Sequence, residues 1–84
     1  MGGEGREDDE FSAVLNGREY SIHSVHIASD PEILGGVPVF RGTRVPFQAL
    51  LDYLEGGQTL AEFLDDFSTV TRDAAIAALE SVAP

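Results

Sequence analysis

Residues 46–80 read PFQALLDYLEGGQTLAEFLDDFSTVTRDAAIAALE. Phe47, Leu50, Leu51 and Leu54 recur at i, i+3, i+4 and i+7, the spacing that lines one face of an α-helix. Pro46 suits the first helical position, where its missing N–H would have no intrahelical partner, and Gly56–Gly57 supplies the stop. A second helix of about nine residues is expected from Thr59, which forms a capping box with Glu62 ahead of Leu60, Phe63, Leu64 and Phe67. The FSTVT stretch breaks it. Thr71 then caps a third helix, with Asp73 in its first turn and an apolar stripe at Ile76, Leu79 and Ala83. A helix, a turn of about three residues and a following helix have the proportions of a helix-turn-helix.

Working back towards the N-terminus, GGVPVFRGTR (Gly35 to Arg44) concentrates three glycines and two of the chain's five basic residues, all arginines. Glycine permits positive φ or close approach of backbones, and Pro38 and Pro46 each fix a φ angle. Arg41 and Arg44 are therefore expected on a stiffened loop ahead of the first helix. VPVF reads as a short edge strand, since Pro38 cannot donate to a ladder. A short strand around His26 to Ala28 and a turn at Asp30–Pro31 precede it. Further back, Asn16–Gly17 separates two alternating runs, a hairpin signal because both turn residues must accept positive φ. A two-residue loop sets Leu15 opposite Arg18, Ala13 opposite Tyr20 and Phe11 opposite Ile22, with the apolar residues on one face. The fold class expected is α+β, mainly α: an N-terminal β-hairpin and short strands, then a three-helix, helix-turn-helix-like part. Residues 1–10 read as a disordered acidic tail and 11–84 as one domain, divided into a β/loop part (11–45) and a helical part (46–84).

Composition narrows the function. The chain has 84 residues, 43% of them hydrophobic, and a domain that small has a thin core. Oligomerisation is a common remedy, so a homodimer is expected. Fifteen acids against five basic residues give a net charge of −10, which opposes nucleic acid and anionic membranes. The acids suit a plain solvation layer, or equally a halophilic source whose salty cytoplasm screens the charge. Without cysteine there is no disulfide, thiolate metal site or cysteine nucleophile. No apolar run approaches the roughly 18 residues of a membrane span, and the first ten residues lack the basic start and apolar centre of a secretion signal, so a cytoplasmic location is expected.

Catalytic constellations are not evident. His23 and His26 lie three apart in a segment read as extended, which sends them to opposite faces, so no metal site is expected. Asp65 and Asp66 point about 100° apart on a helix, as on a solvated face. Neither Ser21 nor Ser24 sits in a nucleophile motif, and the glycines match no phosphate-binding loop. No enzyme activity and no cofactor are expected. Arg41 and Arg44 have two readings: they cement the loop to internal acids, or they present guanidinium forks to a phosphate or to a partner's carboxylates. A division of labour follows, with Arg41, nearer the glycine pair, structural and Arg44 the contact.

Residues 27–80 resemble the family known as domain of unknown function 433, small antitoxin-like bacterial and archaeal proteins with a helix-turn-helix-type helical part. The resemblance is carried by the order Asp30, Pro31, Ile33, Gly35, Gly36, Pro38, Arg41, Gly42, Thr43, Arg44 and Pro46, then a glycine-containing break and Val70-Thr71-Arg72-Asp73 at the start of the last helix. Val37 stands where the family often has lysine, and Ser68 where it often has proline. The resemblance implies an antitoxin-like component of a toxin–antitoxin pair, dimeric, that neutralises a PIN-like ribonuclease and binds its own promoter. Arg41, Thr43 and Arg44 would meet the protein partner, and Thr71 and Arg72 would meet DNA. On the expected outer face of the third helix (Arg72, Asp73, Ala74, Ala77, Ala78, Glu80), Arg72 alone is a good reader of base edges. An acidic protein-interaction module or adaptor without DNA contact is the alternative.

Overall fold

The computed structural model describes residues 11–82; the acidic tail and Ala83 lie outside them. Strands β1 (Phe11–Leu15) and β2 (Arg18–Ile22) form an antiparallel hairpin in the expected register, with Leu15 opposite Arg18, Ala13 opposite Tyr20 and Phe11 opposite Ile22. Asn16 and Gly17 make the turn at φ 54° and 77°, both positive as a two-residue loop of this kind demands. A second small sheet pairs β3 (Ile27–Ala28) antiparallel with β4 (Val39–Phe40). One 3-10 turn, Leu34–Gly36, sits between these strands. Helices α1 (Phe47–Glu55), α2 (Leu60–Asp66) and α3 (Arg72–Glu80) complete the α+β, helix-rich architecture.

The core joins both sheets to all three helices. Phe40, Phe47 and Phe63 are fully buried, with Phe40 at 5.7 Å from Phe47 and 6.1 Å from Phe63 between ring centroids. Burying a side chain of this size contributes about 1.5–3 kcal/mol. Ile22, Ile27 and Leu50 fill the space around them. Helix α1 also holds the hairpin through one polar side chain. The Gln48 amide accepts the Val14 N–H at 2.8 Å and donates back to the Val14 carbonyl, so it pairs with the β1 edge as a neighbouring strand would.

Three local expectations need correction. Pro46 is the cap of α1 and not its first residue, because its ψ of 141° is extended and it bridges to Val39. Helix α2 is seven residues long. The backbone leaves the helical region at Phe67 (φ −121°, ψ 72°), whose ring lies 4.9 Å from that of Phe63 and 5.7 Å from that of Tyr53. The connection to α3 is consequently five residues, 67–71, longer than the expected turn, and it carries the buried Val70. Finally, α3 buries Ala75 and Ala78, with Leu79 and Val82 packed beside them. Ala78 therefore belongs to the core and not to the outer face: alanine's short side chain lets the helix approach closely. The Thr59–Glu62 capping box is present in both directions, at 3.1 and 2.9 Å.

Candidate functional site

The arginine loop is a tight turn pinned at both ends to the core. The Phe40 N–H donates to the Val45 carbonyl at 2.9 Å, and the Thr43 N–H donates to the Phe40 carbonyl at 2.9 Å. Gly42 takes φ 81°, the left-handed conformation that glycine adopts without a Cβ penalty. The Thr43 hydroxyl closes the turn a second time, donating to the Phe40 carbonyl at 2.8 Å and accepting the Val45 N–H at 3.0 Å. Phe40 and Val45 are buried, while Arg41, Gly42 and Arg44 are exposed. Thr43, expected to meet a partner, thus has its hydroxyl engaged inside the turn.

Arg41 grips the chain just before and within β3. Its backbone N–H donates to the His26 carbonyl at 2.7 Å, its Nε to the Val25 carbonyl at 2.8 Å and its Nη2 to the Ile27 carbonyl at 3.3 Å. Backbone carbonyl oxygens, and not the internal carboxylates expected, are therefore what Arg41 binds. Arg44, three residues on, makes no side-chain hydrogen bond with another described residue and stands two residues ahead of the Pro46 cap. Phe11, Ile27, Ala28, Ser29 and Arg41 surround an open depression of about 360 Å³ beside the loop.

The stretch leading to the loop is shaped by its own turn chemistry. The Asp30 carboxylate accepts the Glu32 N–H at 2.9 Å and the Asp30 carbonyl accepts the Ile33 N–H at 2.8 Å. Gly36 lies at φ 94°, where an added Cβ would meet Ser29 Oγ at 3.6 Å, and the Ser29 hydroxyl donates to the Gly36 carbonyl.

The model of the protein family of unknown function DUF433 matches residues 27–80. The chain belongs to the DUF433 family. Its matched segment runs from the first residue of β3 to the last residue of α3, so the DUF433 unit contains the arginine loop, while the β1–β2 hairpin lies outside the match. No curated protein and no solved structure matches the chain.

The remaining candidate residues of this DUF433 chain lie elsewhere. The Thr71 hydroxyl accepts the Ala74 N–H at 3.1 Å and serves as the cap of α3, and Arg72 is exposed on the first turn. His23 is exposed and His26 half-buried, and among the described residues there is no group of three or more His, Cys, Asp or Glu fit to hold a metal. Among those residues, too, no helix is long and apolar enough to cross a membrane. One linked pair went unread in the sequence: the Tyr53 hydroxyl donates to Asp66 Oδ2 at 2.6 Å, tying α1 to α2. That hydrogen bond, followed by desolvation and by the charges of Asp66 and Glu62, raises the Tyr53 phenol above its usual pKa.

Proposed function

We propose that the chain is an antitoxin-like component of a toxin–antitoxin pair, neutralising a PIN-like ribonuclease through the Phe40–Val45 loop. The observation that carries this reading is the exposed Arg44 on a turn whose two ends are buried. A guanidinium on a preorganised loop loses little entropy on binding and is suited to bidentate pairing with carboxylates, the groups that line a metal-dependent nuclease site. Arg41 backs the loop, and Thr43 keeps its shape. The chain's own excess of acids discourages contacts elsewhere with such a partner, which concentrates recognition on this loop. A cytoplasmic homodimer belongs to the same reading.

Promoter binding is the weaker half of the proposal. The Thr71 hydroxyl already caps α3, Arg72 is the one basic residue of that helix, and the net charge is −10. These observations favour the second reading, an acidic interaction module that leaves DNA alone. The test is binding of the purified chain to the product of the adjacent gene and, separately, to the promoter DNA upstream, each at two salt concentrations. Tight binding of a ribonuclease-like product supports the antitoxin role, and absence of binding refutes it. Salt-sensitive promoter binding restores the DNA half. Sedimentation equilibrium checks the dimer: monomer mass at every concentration ends that expectation.

A further inference from the structure

We propose that the depression lined by Phe11, Ile27, Ala28, Ser29 and Arg41 is a carboxylate-binding subsite, with Arg41 as its fork. A guanidinium carries five N–H donors. Hydrogen bonds to the Val25 and Ile27 carbonyls use two of them, and the other three meet no acceptor among the described residues, on a group whose orientation is already fixed. Those two carbonyls are neutral partners, and among the described residues the depression's lining contributes no carboxylate. Arg41 therefore brings to a concave surface a positive charge that no carboxylate among the described residues pairs with by a hydrogen bond. The depression is open and its exposed lining is mainly polar, so the guanidinium is accessible to an incoming carboxylate, with which it forms a charge-assisted hydrogen bond. The Ser29 hydroxyl donates to the Gly36 carbonyl, which leaves it only acceptor capacity, so an anion's bonds come from Arg41.

A single fork engages one carboxylate at a time, so acidic side chains of a polypeptide suit it better than a nucleic-acid backbone, whose long run of phosphates a chain of charge −10 would repel. Two sources share that chemistry. One is an acidic side chain on an extended segment of a protein partner. The other is the run Glu7-Asp8-Asp9-Glu10, which leads directly into Phe11, a residue of the site's own wall. In the second case the chain's acids and the partner's compete for Arg41. The inference rests on the loop's proposed interaction role for the identity of the partner, whereas the subsite is tested without that partner.

The experiment follows the Arg41 Nε–H signal by NMR in the full chain while an acetylated, amidated Glu-Asp-Asp-Glu peptide is added. It is repeated on a full-length variant whose run is neutralised (Glu7→Gln, Asp8→Asn, Asp9→Asn, Glu10→Gln). The signal is expected to move saturably in the neutralised variant, to return when sodium chloride is added, and to stay unmoved by a Gln-Asn-Asn-Gln peptide. An apparent affinity roughly fivefold or more lower in the wild-type chain assigns the native carboxylate to its own acidic run, and equal affinity in the two chains assigns it to a partner. The inference is overturned if the signal moves in neither chain, if the amide peptide moves it equally, or if inorganic phosphate at matched ionic strength binds more tightly than the acidic peptide. Because no toxin is present, a negative result here is separate from failure of the toxin-binding test.

Discussion

Replacing Arg41 by alanine removes two side-chain hydrogen bonds, to the Val25 and Ile27 carbonyls, and leaves the backbone bond to His26 intact. The cost follows from where those carbonyls end up. Val25 is 78% exposed, so water replaces its lost partner readily, whereas Ile27 is fully buried and its part-buried bond is less readily replaced by water. Net values of 0.5–1.5 kcal/mol per hydrogen bond, with the 3.3 Å bond at the weak end, give about 1.5 kcal/mol in total. In a domain of this size that lowers the melting temperature by roughly 6–12 °C. Lysine at the same position keeps the charge but cannot reach both carbonyls with a rigid fork, so Arg41→Lys should recover less than half of the loss. Arg44→Ala should melt with the wild type, within about 0.5 kcal/mol, as exposed substitutions away from structural features do. Differential scanning calorimetry of the three variants at one concentration and salt is the assay. The reasoning fails if Arg41→Ala melts with the wild type, or if Arg44→Ala is the more destabilised.

Three further outcomes are expected. Gly42→Ala should destabilise by about 1–2 kcal/mol in chemical denaturation, purely from φ 81°, because an added Cβ would meet nothing within 4 Å. Gln48→Ala should strip both partners from Val14 and loosen the hairpin from α1, seen as faster amide exchange at Val14 and a loss of about 1–2 kcal/mol. The raised Tyr53 pKa stabilises the fold below the usual tyrosine value of 10.0, and this contribution is lost as pH climbs through the higher folded value. Tyr53→Phe should therefore lose less stability than the wild type across that alkaline range, read from melts at stepped pH.

The parts of the fold that could be read from the chain were those set by neighbours in sequence. The Thr59–Glu62 box needs residues three apart, and the hairpin register follows once Asn16–Gly17 is taken as a two-residue loop. The phase of α3 was also written there, at Ala75, Ala78, Leu79 and Val82, an i, i+3, i+4, i+7 set. It was missed because Ile76 outweighs alanine on any scale of hydrophobicity, although alanine is what a closely packed helix face requires. What could not be read was pairing across distance. Gln48 reaches Val14 over 34 positions, and Arg41 reaches Val25 over 16. Nothing local to an amide or a guanidinium says which carbonyl it will find. The same holds for Thr43: its residue type suggested a contact outward, but the turn geometry directs its hydroxyl to Phe40 and Val45. At Tyr53 and Asp66 a hint was available, since each stands on a helix with a clear period, but their meeting depends on how α1 and α2 cross.

The central claim is that Arg44 contacts the partner and that Arg41 holds the loop that presents it. Its most direct test is calorimetric titration of the adjacent gene's product, whatever its class, with the wild-type chain and with Arg44→Ala, each shown beforehand to melt at the same temperature. The account predicts a loss of about 2 kcal/mol or more in binding, roughly 30-fold in the dissociation constant, with folding unchanged. Equal affinity for the two chains would contradict it.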